Sequence, residues 1–347
     1  MVAKVNRQQL GFFPTPLYKL DNLSAELGVN LWIKRDDFTG SNLFGGNKTR
    51  KLEFLMGKAK DEGAEYVITY GATQSNHAMQ TVWAACKNNL KPILYLVAVV
   101  PPDENDYKAN LLLDCIYGAE VHIIDIMEGE SFEEAERRSF KIGRAHAEEL
   151  NARGTKCYEV PMGGANDYGS LGYLNAMIEL AEQMESAKPQ PPQFKYLYHA
   201  TGSGGTAAGI MAGNKLLGLG LEVHSISSMD VGDENKYAAG AAGLANGALA
   251  LIGAQETATV APEDFIIDQN HYGEGYEIPS DEATAAIKLL AQKEGILVDP
   301  VYSGKAFAGM LSDIRTGKIP AGSDVLFLHT GGATVFFAEK EILGELF

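Results

Sequence analysis

YLYHATGSGGTAAGIMAG, residues 196–213, is the stretch whose reading decides the fold. A β-rich run over 196–200 stops at Thr201. The turn Thr201, Gly202, Ser203, Gly204, Gly205, Thr206 supplies glycines and hydroxyls, and a helical pattern starts at once. Glycines let a backbone wrap closely around an anion, and a helix N-terminus offers free N–H groups and positive potential. A phosphate is the natural guest of such a turn, and a tight strand-to-helix connection without a ligand is the plainer reading. Gly202, Gly204 and Ala207 also fit G-x-G-x-x-A, the dinucleotide fingerprint, which wants an acid at the end of the next strand. That strand ends SISSMD, mostly serine with Asp230 late, so an NAD-dependent dehydrogenase is the weaker rival.

Outward from this turn, short β-rich runs alternate with helical patterns. Strands are expected at VNLWIKRDD (29–37), YVITY (66–70), KPILYLVAVV (91–100), EVHSIS (222–227) and DVLFLH (324–329). Helices are expected from Lys48 to about Glu62, from about Ser75, and near 105–117, 131–152, 167–186 and 281–294. This alternation implies an α/β fold whose parallel sheets carry helices on both faces. Ligands then sit beyond the carboxyl ends of the strands. SAKPQPPQF (186–194) reads as a proline-rich surface loop, and AAGAAGLANGALALIGA (238–254) fits helix or loop equally.

The chain has 347 residues, 46% apolar and 21% charged, with a formal net charge of −16 and no basic block. Nucleic acid and anionic membrane surfaces both require a positive footprint, so neither is expected as a partner. Three scattered cysteines make neither a disulfide framework nor a zinc site, and seven histidines show no ligand spacing, so no metal is expected. The longest apolar run, PILYLVAVV, is far below the ~18 residues of a membrane span. The N-terminal stretch lacks the apolar core of a signal peptide, and a cytoplasmic location is expected.

Two further turns carry hydroxyls to a strand edge. YGATQSNHAMQ places Ser75, Asn76 and His77 at a helix start, where capping alone would explain them in isolation. FLHTGGATVFFAE runs from a strand through Thr330-Gly-Gly into an expected helix. GGNKTRKLEFL puts Lys48 at a helix start, where the macrodipole disfavours a cation, with Lys51 three residues on and on the same face. A neighbouring cation and partial burial both lower an amine's pKa, and a neutral amine can form a Schiff base with an aldehyde. Pyridoxal 5′-phosphate satisfies both demands, offering an aldehyde to Lys48 and a phosphate to Thr201–Thr206 and Lys51.

With these pieces assembled, the chain resembles the fold-type II pyridoxal-phosphate enzymes. It is most similar to the branch of D-cysteine desulfhydrase, L-cysteate sulfo-lyase and 1-aminocyclopropane-1-carboxylate deaminase. FPTPLYKLDNLSAELG, IKRDDFTG, GGNKTRKLEFL, GATQSNHA, PMGGANDYGSLGYLNAMIEL, HATGSGGTAAG, GYEIPS, DPVYSGKA and HTGGA occur in the family's order over nearly the whole length. The resemblance implies two three-layer α/β/α domains with mostly parallel sheets: residues 1–49 with 166–347 as the larger, and 50–165 as the smaller. It implies a homodimer, and a cofactor in the cleft between the domains. It also implies Lys48 as the Schiff-base lysine, Asn76 beside the cofactor's 3′-oxygen, and Ser75, Asn76 and His77 around the substrate carboxylate. Tyr276 and Tyr302 match the family's two active-site tyrosines.

The deaminase branch carries glutamate directly after the second tyrosine and leucine where HTGG has threonine. This chain has Ser303 and Thr330, the hydroxyl pair of the sulfur-lyase branch. A neutral hydroxyl at the pyridine nitrogen gives a shallower electron sink than a carboxylate, enough to expel thiol or sulfite but less suited to opening a cyclopropane. The expected reaction is β-elimination from D-cysteine, with L-cysteate as the alternative and the deaminase reaction disfavoured.

Overall fold

The computed structural model describes residues 2–40, 44–187 and 192–346. Its strands are β1 (Leu17–Lys19), β2 (Asn30–Arg35), β3 (Tyr66–Ala72), β4 (Lys91–Ala98), β5 (Glu120–Asp125), β6 (Cys157–Glu159), β7 (Tyr196–Thr201), β8 (Glu222–Ser227), β9 (Ile266–Asp268) and β10 (Asp324–His329). Its helices are α1 (Asp21–Leu27), α2 (Asn47–Asp61), α3 (Asn76–Lys87), α4 (Ala109–Ile116), α5 (Phe132–Ala152), α6 (Asp167–Ser186), α7 (Gly205–Leu217), α8 (Glu234–Leu251), α9 (Asp281–Glu294), α10 (Ser303–Arg315) and α11 (Lys340–Leu343).

The strands form two sheets, ordered β1-β2-β10-β7-β8-β9 and β5-β4-β3-β6. Every pairing is parallel except β1 with β2. Strand periodicity explains the layers. In β7 and β10, Tyr196, Tyr198, Val325 and Phe327 pack with α9 and α10 on one face. Leu197, Leu326 and Leu328 pack with α6, α7 and α8 on the other. In β4, Ile93, Tyr95 and Val97 lie under α5, while Leu94 and Leu96 face α3 and α4.

The expected α/β architecture of parallel sheets between helices is therefore the observed one. The stretch 238–254 resolves as helix through Leu251, because Ala238, Ala241, Ala242, Ala245 and Ala248 make a buried small-residue face in α8, and ends in a turn over 252–254. The turn after β10 leads into a short 3-10 segment, Ala333–Phe337, rather than the expected α-helix. Within the proline-rich stretch 186–194, residues 188–191 lie outside the described residues. The short strands β1, β6 and β9, the edge strand β5 and helices α1, α10 and α11 are not among the expected elements, although Phe307, Met310, Leu311 and Ile314 give α10 a helical apolar period.

α2 ties the two sheets together. Gly172 of α6 lies so close to it that a Cβ there would stand 2.4 Å from Arg50 O. Arg50 itself turns into the core, its guanidinium bonding Asp36 at 2.8 Å and Glu179 at 2.9 Å, with the Tyr173 hydroxyl donating to Asp36 at 2.6 Å. Burial would raise the Asp36 carboxyl, but the Arg50 guanidinium outweighs it and holds that group at about 2. This buried network fixes the face of α2 opposite Lys48 and Lys51.

Candidate active site

Between the sheets lies a cleft of about 900 Å³, counting its open mouth, and it gathers the expected residues from distant parts of the chain. Asn47 and Lys48 open α2. Ser75, Asn76 and His77 come from the β3–α3 turn, Thr201–Gly204 and Thr206 from the β7–α7 turn, and Tyr276, Tyr302 and Thr330 from the C-terminal region. Three of these segments are turns at the carboxyl ends of parallel strands, where α/β folds place ligands.

The start of α2 is registered against β10's exit by a bridge between Gly46 and Gly331, with Asn47 N donating to Thr330 O at 2.9 Å. Gly331 adopts φ 98°, and a Cβ there would stand 2.8 Å from Gly45 O, so only glycine suits this crossing. Lys48 faces the cleft half-buried and hydrogen-bonds no described residue. Desolvation lowers its amine to about 8. The neighbouring cation expected from the sequence matters more for Lys51, whose pKa burial and then Lys48 push well below the ordinary lysine value.

Lys51 is buried behind the cleft wall rather than lining it. Its Nζ donates to Gly163 O at 3.0 Å, and a Cβ on Gly205 would stand 3.1 Å from the same nitrogen. It forms no ion pair among the described residues. Helix α7 begins there with Gly204 at φ 79° as its N-cap and no side-chain cap, which leaves its first N–H groups free. A buried amine without a counter-ion beside an uncapped helix start has the chemistry of an anion site, so these residues fit a phosphate. Asn47 Nδ2 donates to Thr206 Oγ1 at 3.1 Å, and Thr201 Oγ1 shares a 2.8 Å hydrogen bond with the Tyr237 hydroxyl.

At the α3 start, Ser75 Oγ caps Ala78 N, while the backbone N–H groups of Asn76 and His77 point out of the helix unpaired, as first-turn groups do. Asn76 Oδ1 accepts from Asn110 Nδ2 at 3.0 Å and from Thr334 Oγ1 at 2.9 Å, which leaves its Nδ2 as the group free to donate. The His77 ring behaves differently from the expectation. Thr69 Oγ1 donates its proton to Val160 O, so His77 Nε2 must donate to Thr69, and Nδ1 keeps a buried, unpartnered lone pair. Burial, then Lys48 and Lys51, lower the imidazole pKa well below its usual value and keep it neutral. The backbone of His77, not its ring, is what it can offer a carboxylate.

Ser303 is the other departure. It is fully buried and does not line the cleft. Its hydroxyl donates to Asp299 Oδ1 and accepts from Asp299 N, as part of the cap on α10. Asp299 instead reaches the wall, with backbone donors from Val301, Tyr302 and Ser303 on its carboxylate. Thr330 does line the cleft, and its hydroxyl bonds no described residue, so it is the hydroxyl of the expected pair available to a ligand. The hydroxyls of Tyr276 and Tyr302 stand 2.5 Å apart, and burial raises both phenols above their usual range.

Several lining or supporting residues escaped sequence reasoning: Phe132, Glu136, Met162, Gly163, Asp299, Asn110, Thr334 and Tyr237. Met162 and Gly163 in PMGGAND, Asp299 in DPVYSGKA and Thr334 in FLHTGGATVFFAE lie in sequence motifs without an assigned role, and nothing local marks the others. Asp230, the acid a dinucleotide reading would need, is exposed and bonds Gly232 N. Among the described residues one group, Glu120, His122 and His146, brings possible metal ligands together, and none of the three lines the cleft.

A half-buried amine of lowered pKa facing an anion cradle across a cleft between two parallel sheets defines a pyridoxal-phosphate enzyme. The chain belongs to the family described as pyridoxal-phosphate dependent enzyme, which it matches over residues 8–331. It is 37% identical over 340 residues to the bifunctional D-cysteine desulfhydrase/1-aminocyclopropane-1-carboxylate deaminase of Arabidopsis thaliana, covering 97% of this chain and 80% of that one. It is also 37% identical to the D-cysteine desulfhydrase of Klebsiella pneumoniae, with 97% of each covered. The crystal structure of an ACC deaminase homologue superposes with TM-score 0.85 at 35% identity, over 100% of this chain and 98% of the other. The cofactor is pyridoxal phosphate and the activity is that of a lyase. No helix among the described residues is long and apolar enough to cross a membrane.

Proposed function

We propose that this chain is a carbon–sulfur lyase that converts D-cysteine and water to pyruvate, ammonia and sulfide by β-elimination. The meeting of Lys48, the Thr201–Thr206 turn and the Ser75–His77 helix start in one cleft carries the reading. Lys48 would anchor the cofactor aldehyde, Thr201–Thr206 and Lys51 would hold its phosphate, and Asn76 Nδ2 and Thr330 Oγ1 are the free groups for its ring. When bound, pyridoxal phosphate supplies an electron sink for the pair left at Cα.

Ser75 and the free N–H groups of Asn76 and His77 bind the substrate carboxylate and orient Cα. Lys48 Nζ, freed from its anchoring role, takes the Cα proton, and an amine titrating near 8 suits a base at neutral pH. Tyr276 and Tyr302, with a proton shared between their oxygens, orient the β-substituent or assist its departure.

Thr330 in place of leucine, and the absence of a glutamate at position 303, favour this reading over ring opening of aminocyclopropane carboxylate. L-Cysteate, which would release sulfite, is the alternative substrate. The same reading takes residues 1–49 with 166–347 as the larger domain and 50–165 as the smaller. The separate origins of the two sheets support this, and α2 runs through the 49/50 boundary as the element that joins them. A homodimer is what the family resemblance implies.

The test is borohydride reduction of the purified holoenzyme with peptide mass mapping, followed by parallel assays of D-cysteine, L-cysteate and aminocyclopropane carboxylate. Reduced cofactor fixed on Lys48 and sulfide from D-cysteine are expected. Cofactor fixed elsewhere rejects the site, and turnover of another substrate alone rejects the reaction.

A further inference from the structure

The N-terminal end of α5 reaches the cleft from the smaller sheet. Ser131 and Glu134 close it with a capping box, and Phe132 and Glu136, four apart and so on one face, both line the cavity. The Phe132 ring stacks on Tyr276 at 5.8 Å and 25°, which sets this face of α5 beside the tyrosine pair. Of the acids lining the cleft, Asp299 is covered by backbone donors, whereas the Glu136 carboxylate has neither an ion pair nor a hydrogen bond among the described residues. The adjacent arginines are engaged elsewhere, Arg137 with Glu133 and Arg138 with Glu130. Burial, helped by Glu133 and opposed by Arg137, raises the Glu136 carboxyl to about 7. After burial, Glu277 and Asp299, its charge also contributes to raising the Tyr302 phenol.

We propose that Glu136 is a specificity-determining residue that selects against amino acids whose β-substituent is anionic, confining the substrate class to those with a neutral β-group such as a thiol. This rests on the reading of the cleft as the amino-acid site. Once the pH is above about 7 and Glu136 is ionised, a sulfonate on the β-carbon would enter a half-buried cleft already holding a carboxylate with no ion pair among the described residues, and like charges brought together with little water between them repel strongly. A thiol meets no such penalty. The residue thus separates the two sulfur amino acids that the motifs alone leave together.

The test measures dissociation constants of serine and cysteate, both enantiomers of each, from the change in cofactor absorbance of the holoenzyme at pH 8. Wild type, Glu136→Gln and the charge-conserving Glu136→Asp are compared. The cysteate-to-serine ratio of dissociation constants is expected to fall about five- to tenfold in Glu136→Gln, the upper bound being set by protonation of a carboxyl that titrates near 7, and to stay within about threefold of wild type in Glu136→Asp. An unchanged ratio in Glu136→Gln, or the same fall in Glu136→Asp, overturns the proposal. Should Glu136→Gln fail to retain cofactor, Glu136→Ala takes its place with the same expectation. Because the ratio is read from binding, it stands apart from the desulfhydrase reading: absence of sulfide from D-cysteine rejects that reaction and leaves this ratio measurable.

Discussion

Asn47 Nδ2 donates to Thr206 Oγ1 at 3.1 Å, joining the residue before Lys48, the proposed Schiff-base lysine, to the last residue of the proposed anion turn. The two are 159 positions apart in sequence, and their bond sets the reach between Lys48 and the phosphate cradle. A neutral hydrogen bond contributes about 1 kcal/mol. Asn47→Ala is therefore expected to weaken pyridoxal-phosphate binding roughly fivefold, measured by equilibrium dialysis of the apoprotein.

Lys51 offers a sharper contrast. Its buried amine faces Gly163 O and the α7 start without a carboxylate, so its favourable partner is the ligand's phosphate. A hydrogen bond to a charged group contributes about 1.5–3 kcal/mol. Lys51→Met should raise the Kd for pyridoxal phosphate by roughly 10- to 100-fold while leaving that for pyridoxal, which has no phosphate, nearly unchanged. Equal weakening of both would show that Lys51 supports the fold rather than the anion.

The lowered pKa of Lys48 has a sign that can be read kinetically. Only the neutral amine attacks an aldehyde, and desolvation places its titration at about 8. Loading of apoprotein should thus quicken about tenfold for each unit of pH below that value and level off above it. Stopped-flow absorbance at saturating pyridoxal phosphate checks this, and a rate still climbing tenfold per unit through pH 10 would place the amine at its ordinary value.

Gly163 stands at φ 67°, and a Cβ on it would lie 2.2 Å from Ser203 Oγ. Gly163→Ala should push the Ser203 side of the anion turn outward, weakening cofactor binding at least tenfold. The same dialysis reads this out, and far-ultraviolet circular dichroism should be unchanged.

Arg50→Ala leaves Asp36 and Glu179 buried without their guanidinium, a loss of about 3–5 kcal/mol in unfolding free energy. The pH dependence has a definite direction. The Asp36 carboxyl is held at about 2 in the folded protein, below the ordinary ~3.9, so its contribution is present above pH ~4 and disappears as pH falls toward 2. Urea titrations from pH 5 to 2 should show a steeper loss in wild type than in Arg50→Ala.

Much of this protein was legible in its sequence. Strand and helix periods are local, so the runs at 66–70, 196–200, 222–227 and 324–329 announced a parallel α/β fold, and glycines with hydroxyls after a strand announced the anion turn at 201–206. Lys48, Asn76, Tyr276, Tyr302 and Thr330 could be named because motif order is also written along the chain. Tertiary structure alone decided which of these groups are free to act. Ser303 carries the expected hydroxyl, yet Asp299, four residues back across a tight cap, consumes its proton. His77 is in place, but Thr69 and Val160 fix its ring so that only its backbone can donate. Glu136 carries no local signal, because an acid on a polar helix face looks the same whether that face meets water or a cleft. Hydrogen-bond protons and desolvation depend on neighbours distant in sequence, and those are set only when the two sheets come together around α2.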